Sequence, residues 1–509
     1  MGSKGKADRQ TGKFMIIAVL CFVTYLACYA TKSLLSVNSP QMIENGYTSA
    51  QIGTMSSVYF LLYGAGQLFT GLIGDRVKMK YMLLAGLMIA AGCCTAFVLF
   101  DSVAIKTVAW GACGFGLSFL YAPLVRSVSD RLKNRQAEIC MVVLNLASVM
   151  GATAAGVFGA FGNWKTATSV FAAMLGLIAV ASLITNLVLD KKYPVICVAE
   201  DAAVPSGVNR HFAEDNRESR TEAPSGEKSA EVSPAADETA VKDGMAENYP
   251  AAEAAACSDQ TAGTGVVIAA DDRSADGACC TDTVEAVVRT DVKDDSNTDG
   301  KQGVALNAAG VMPFRPFLKY WLSTGGIVFI LVSCIQGIAK NSITFWIPTY
   351  ISQYLDFTPQ IASIIFSVMT LLAALNQIIA IALYHMMKNK AIRVIRFSFL
   401  LSTVCFLLLI AFDNVWLNLI LLLIAKSGYS WAGTMIWTFY CRSYKSVGRV
   451  AFVVGFLDFV SYVFSAFGSL LFSDAIESIG WLWLIVVWSG IMLVGAVSTF
   501  LFRKTTAAI

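Results

Sequence analysis

Charge is what this sequence has least of for its length. Asp, Glu, Lys and Arg make up 14% of the 509 residues, against 56% for apolar side chains, and the mean hydropathy is +0.62. So few solvating groups exclude a string of water-soluble domains and imply a polytopic membrane protein. Other devices are missing too. The thirteen cysteines show no zinc-type spacing, which leaves them as small core residues rather than a metal site or disulfide framework. No glycine-rich phosphate loop and no nucleophile–base constellation is present, so neither ATP-driven pumping nor enzymatic turnover is supported and no cofactor is expected. The run Gly263-Thr-Gly265 lacks the strand–turn–helix context a nucleotide fingerprint needs. Met1 to Lys13 is polar and basic, and the apolar run after it is too long for a cleaved signal, so the first span is expected to persist.

The charge that exists is partitioned. From Glu200 to Asp299 there are 23 acidic and 8 basic residues, leaving 12 acidic and 30 basic elsewhere, so the membrane portion is net basic by 18. That matches positively charged cytoplasmic loops and does not argue for nucleic acid as a partner. Apolar runs of membrane-spanning length predict twelve helices, near 14–37, 50–73, 80–100, 104–126, 138–161, 167–189, 319–347, 358–385, 392–412, 415–439, 450–473 and 480–502. Alternate connections are basic: Arg76, Lys78 and Lys80; Arg131, Lys133 and Arg135; Lys191 and Lys192; Lys388, Lys390 and Arg393; Arg442, Lys445 and Arg449. Both termini are therefore expected in the cytoplasm, the chain being a multi-pass protein of the cell membrane. The first run continues from Phe14 to Ile43, about 45 Å as helix against a hydrocarbon core of about 30 Å, with Pro40 a site for a bend.

Residues 191–315 are rich in Ala, Ser, Thr, Gly, Asp and Glu and poor in aromatics, a composition that cannot bury enough apolar surface to order itself. They are expected to form a disordered acidic cytoplasmic linker between an N-terminal six-helix half, 1–190, and a C-terminal half, 316–509. The fold class is then all-α integral membrane, with two pseudo-symmetric halves.

Two charges interrupt the apolar runs at matching places. Lys32 stands eight residues before Pro40, and 308 positions later Lys340 stands eight before Pro348. With one extra residue in the second half, Gln51 matches Gln360 and Gln67 matches Asn376, which is a parallel internal repeat. A lysine at mid-membrane depth costs about 2.5–3.5 kcal/mol even on lenient insertion scales, so a matched pair reads as a binding device; the alternative is that each snorkels to a headgroup or neutralises a structural carboxylate. Tyr29, Tyr25 and Ser36 lie on turns neighbouring Lys32, and Gln336 precedes Lys340 by four, so each set shares a face with its lysine. Gln67, Tyr121, Asn145 and Asn376 sit on other spans as substrate contacts or interhelical hydrogen bonds. Asp458, inside the eleventh span, is a proton carrier or the charge partner of a lysine. The small-residue run Gly151 to Gly159 is assigned to helix packing.

After the second span, Gly71-Leu-Ile-Gly-Asp75-Arg76 resembles the loop signature of major facilitator transporters. That resemblance implies a gating role for Asp75 and Arg76, while Tyr384 and His385 at the corresponding place make any latch one-sided. The paired lysines, Trp346-Ile-Pro348-Thr-Tyr350, the stretch Pro40 to Gly53, and Gly114-Phe-Gly116 through Pro123 and Arg126 resemble the organophosphate:phosphate antiporters, which include glycerol-phosphate and hexose-phosphate transporters. The likeness covers both membrane halves but not the linker. It implies an antiporter that exchanges a small organophosphate for inorganic phosphate; Arg126 is placed among the gating residues, and the chain is expected to act as a monomer. This chain departs from the family in carrying lysines for its usual arginines, Ser148 where relatives place a histidine, and Phe345 for an acidic residue. Lysine holds phosphate as a point charge, without the bidentate fork of arginine. Two alternatives remain: a proton-coupled carrier of another organic anion, and a membrane sensor of sugar phosphates.

Overall fold

The computed structural model describes residues 2–73, 77–132, 134–192 and 312–501. Twelve long helices account for them: α1 (Gly2–Glu44), α2 (Ser49–Ile73), α3 (Met79–Leu99), α4 (Val103–Arg131), α5 (Asn134–Phe161), α6 (Trp164–Lys192), α7 (Phe314–Gln353), α8 (Pro359–Met386), α9 (Ala391–Ala411), α10 (Val415–Lys445), α11 (Val450–Ser478) and α12 (Gly480–Ser498). Eleven are both long and apolar enough to cross a membrane. The other is α2, whose length of 25 residues suffices but whose serines, glycines and Gln67 dilute its apolar character. Short connections alternate between two faces, called here the terminal face, where α1 begins and α12 ends, and the opposite face. The expected linker, 191–315, lies outside the described residues apart from its ends, as do Asp75 and Arg76.

Local sequence explains several boundaries. Thr48 and Gln51 form a reciprocal capping box at the start of α2, each backbone N–H donating to the other's side chain at 3.2 Å. In the second half Thr358 accepts from Ile361 N at the start of α8, so the repeat extends to the caps. Helix α1 runs through Pro40 to Glu44. Proline cannot donate to the carbonyl four residues back, and Ser39 Oγ donates to that carbonyl, Ser36 O, at 2.8 Å instead. Several spans outrun their expected limits, α1, α4, α7, α10 and α11 among them. Helix α7 is kinked at Thr324–Gly325, where Gly325 takes a φ of 95°, and contains a π-helical turn at Ile338–Ile343. Helix α10 continues past residue 439 through a π-helical turn, Met435–Tyr440, so Arg442 and Lys445 belong to its end rather than to a loop.

Within the first half α1 packs on α5, α2 on α4, and α3 on α6 and α4; the second half pairs α7 with α11, α8 and α9 with α10, and α9 with α12. Arg131, expected in a basic loop, is instead buried at the end of α4. It donates to Ser127 Oγ, Asn186 Oδ1 and Asp190 Oδ1 at 3.3, 3.2 and 2.6 Å. Asp190 also takes Lys80 at 2.9 Å, so one carboxylate ties α3, α4 and α6 together. Replacing Arg131 with Met strips Asp190 and Asn186 of a donor while Lys80 remains. The expected loss is about 1–3 kcal/mol, read as a lower unfolding temperature in detergent; an unchanged temperature would show the network to be dispensable. All nine cysteines within the described residues are unbridged, eight of them buried, as core residues should be.

The halves meet chiefly where α2 packs on α11, α5 on α8, and α1 on both α7 and α8. Ser36 Oγ donates to Phe345 O at 2.6 Å, and Ser39 and Thr349 pair their hydroxyls at 2.6 Å, each beside its own repeat proline. Ser56 bonds Ser469. Ala50 N donates to Glu477 Oε1 at 3.0 Å, and Ser367 Oγ to Thr153 O at 3.1 Å. These bonds lie in the parts of the helices nearer the opposite face, so that face is sealed. The glycines there permit close approach: a Cβ on Gly53 would collide with Ser473, and one on Gly156 with Ser367. The small-residue run on α5 thus packs as expected, both within its half and across to α8.

Candidate functional site

Counted from the helix ends at the opposite face, Lys32 lies twelve residues before Glu44 and Lys340 thirteen before Gln353, about 18–20 Å along each helix at 1.5 Å per residue. They occupy one layer of the bundle, one lysine in each half. Their helices are not equivalent there. Lys32 sits on regular α-helix, whereas Lys340 sits on the π-helical turn Ile338–Ile343, a distortion that recurs at functional sites because the extra residue re-aims side chains. Thr344 Oγ1 donates to Ala339 O at 3.2 Å and is within 2.9 Å of Tyr429 Oη, so Tyr429 of α10 braces the turn. The turn also grips α11, through Asn341 Nδ2 to Ser465 Oγ at 2.8 Å and Ser342 Oγ to Ser465 O at 2.7 Å.

Lys32 occupies an aromatic cage. Its Nζ donates to Tyr462 Oη at 2.9 Å and lies 5.4, 4.9 and 5.0 Å from the ring centroids of Tyr29, Tyr63 and Tyr462. Ring faces and a phenolic oxygen replace part of the hydration a buried ammonium gives up. Because Tyr462 belongs to α11, this hydrogen bond crosses between halves at the depth of the lysine layer. Gly64 makes room for it, since a Cβ there would come within 2.8 Å of Tyr462 Cβ. The aromatic wall continues from Tyr29 to Tyr25 at 5.0 Å and from Tyr25 to Tyr121 at 5.6 Å. Asp458 lies one turn before Tyr462 on the same face of α11.

The other expected residues divide. Gln336 is 1% exposed, one turn before Lys340, and its Oε1 has no hydrogen-bond partner; Asn376 is 5% exposed with its Nδ2 likewise unpaired. Unpaired buried polar atoms are rare, and these two belong to helices α7 and α8 of one half. Gln67 and Asn145 are half-buried. Ser36 is committed to the seal with Phe345, and Ser148 donates to Asn145 O at 2.7 Å on its own helix. Arg126 pairs with Asp130 one turn along α4, at 3.4 Å. Sequence reasoning missed Tyr63 and Tyr462, two of the three rings of the cage. It also passed over two buried lysines, Lys106 and Lys426, although each stands as a lone charge in an apolar run.

A bundle of two six-helix halves related by a parallel repeat, with polar side chains at mid-depth between them, is the architecture of a membrane transporter. Residues 20–468 match the family model of the Major Facilitator Superfamily, and the chain belongs to that superfamily. It is similar to proteins named "Probable hexose phosphate transport protein" in Chlamydia pneumoniae and Chlamydia muridarum, each 26% identical over 106 residues. That segment is 21% of this chain and spans 23% of the length of those relatives. Among solved structures it resembles a bacterial homologue of the human lysosomal transporter Spinster in an inward-facing, occupied conformation, with a TM-score of 0.59, 9% identity and coverage of 96% and 97% of the two chains. The nucleoside transporter NupG gives a TM-score of 0.60 at 11% identity, covering 97% and 100%. At such identities these likenesses establish the fold alone.

Proposed function

We propose that this transporter exchanges a small organophosphate for inorganic phosphate by alternating access, acting as a single chain in the cell membrane. The observation that carries the reading is the lysine layer: Lys32 and Lys340, one per half at repeat-matched positions, with Lys32 already linked to the second half through Tyr462. A phosphate dianion seated between them takes a charge-assisted hydrogen bond from each half, and so favours the state in which the halves are closed around it. The named relatives support the substrate class through one fifth of the chain. Asp458 serves as charge partner to the lysines when the site is empty, and Asp75, Arg76 and Arg126 serve in gating at the terminal face.

Binding tests the substrate class. Purified protein should be stabilised against heat by inorganic phosphate and glucose 6-phosphate and not by glucose; equal responses to the sugar and its phosphate would contradict the proposal. The cage supplies a finer check. Tyr63→Leu removes one ring from Lys32 and should weaken phosphate binding about two- to thirtyfold, while Tyr63→Phe, which keeps the ring, should restore most of it. Titration of phosphate into both variants reads the difference, and similar losses in the two would assign Tyr63 a role through its hydroxyl.

A further inference from the structure

Three cationic side chains are buried among the described residues: Lys106, Arg131 and Lys426. Two have evident structural duties. Lys106 donates to Phe97 O at 2.6 Å, near the end of α3, beneath Trp164, and Arg131 ties three helices to Asp190. Lys426 is different. It is 6% exposed, in the middle of α10, and no group among the described residues accepts a hydrogen bond from it or pairs with it. A lysine so placed cannot snorkel to a headgroup, and burying its charge without an acceptor is costly.

Its position says what it faces. Lys426 lies eleven residues after the start of α10 at Val415, about 16 Å from the opposite face, in the layer of Lys32 and Lys340. It neighbours Tyr429 on the helix surface, and Tyr429 is the residue that bonds Thr344 beside the turn carrying Lys340. One turn further, Gly433 backs the side chain of Gln336, whose Oε1 is unpaired. Helix α8, which packs against α10, contributes the unpaired Nδ2 of Asn376. The second half therefore carries two cations, Lys340 and Lys426, in one layer, with the unpaired amide atoms of Gln336 and Asn376 a turn or more nearer the terminal face, while the first half presents one cation already caged.

Building on the proposed phosphate-ester reading, we infer that Lys426 binds a second anionic group on the substrate, so that the preferred ester carries a carboxylate or further phosphate beyond the phosphate held by Lys32 and Lys340. A neutral sugar would leave Lys426 buried and uncompensated. The test uses two three-carbon esters that differ at one end, 3-phosphoglycerate and glycerol 3-phosphate, as competitors of labelled-phosphate exchange in proteoliposomes. Wild-type protein should prefer 3-phosphoglycerate by about tenfold. Lys426→Gln should remove that preference, and Lys426→Arg should retain part of it. Equal competition by the two esters in wild type, or an unchanged preference in Lys426→Gln, would overturn the inference while leaving phosphate-ester transport standing. If neither ester competes, the proposed function fails and this inference fails with it. Equal competition in wild type overturns the inference even if the variants do not fold.

Discussion

Lys32→Gln and Lys340→Gln should each weaken phosphate binding by about ten- to a hundredfold or more, the effect of removing one charge-assisted hydrogen bond from a buried anion, about 1.5–3 kcal/mol. Exchange should fall further than binding. An anion held by one half no longer favours the closed state over the open one, so the closing step loses its driving force as well. Arginine at either position should recover part of the binding, because charge survives while reach and hydration change. For Lys32 the recovery should be smaller, since three rings and the Tyr462 hydroxyl are fitted around an ammonium, and a planar guanidinium has a different shape. Equilibrium titration of folded, purified variants with phosphate reads both effects. Wild-type affinity in both glutamine variants would assign the lysines to structure alone.

Gly53→Val and Gly156→Val should abolish exchange while leaving phosphate affinity largely intact. Each glycine faces a serine of the other half, Ser473 or Ser367, with no room for a Cβ. Neither site touches the lysine layer: Gly53 lies near the start of α2, at the opposite face. A branched side chain there holds the halves apart on that side, so the sealed state described here becomes inaccessible and the cycle stops in the other conformation. Accessibility of a cysteine placed at Ser473 to a membrane-impermeant thiol reagent should rise in the valine variants. Exchange at wild-type rates by either variant would show that the seal opens without separating these helices.

The twelve spans were legible because a bilayer sets a minimum apolar length, and that signal survives in a single sequence. It was faintest in α2. That helix spends one side on close contact with α11, and Gly53, Ser56 and Gly64 are there for approach rather than for apolarity. The end of α10 was misjudged for a related reason, since the π-helical turn Met435–Tyr440 continues the helix past the residues at which its apolar run stops. In the site, Lys32 and Lys340 announced themselves as charges out of place and as repeat mates. Tyr63 and Tyr462 gave no such signal, because a tyrosine in a membrane span fits many roles, and only the packing of α2 on α11 brings the two rings together, with centroids 4.9 Å apart. Lys426 carried the same signal as Lys32 but lacked a partner in the repeat: at the same distance from the start of α4 stands Gly114. Ser36 shows the converse. Its place on a turn neighbouring Lys32 suggested a substrate contact, yet its hydroxyl is bound to Phe345 O, a partner that only the meeting of the two halves supplies.

On the proposed mechanism, an anion bridging the two halves drives the exchange. This is tested most directly by uptake of labelled phosphate into proteoliposomes that contain either unlabelled phosphate or none, with and without an imposed pH gradient. Uptake should require phosphate or a phosphate ester inside and should persist when the pH gradient is collapsed. Uptake into phosphate-free vesicles that follows the pH gradient would contradict the account and make this chain a proton-coupled carrier.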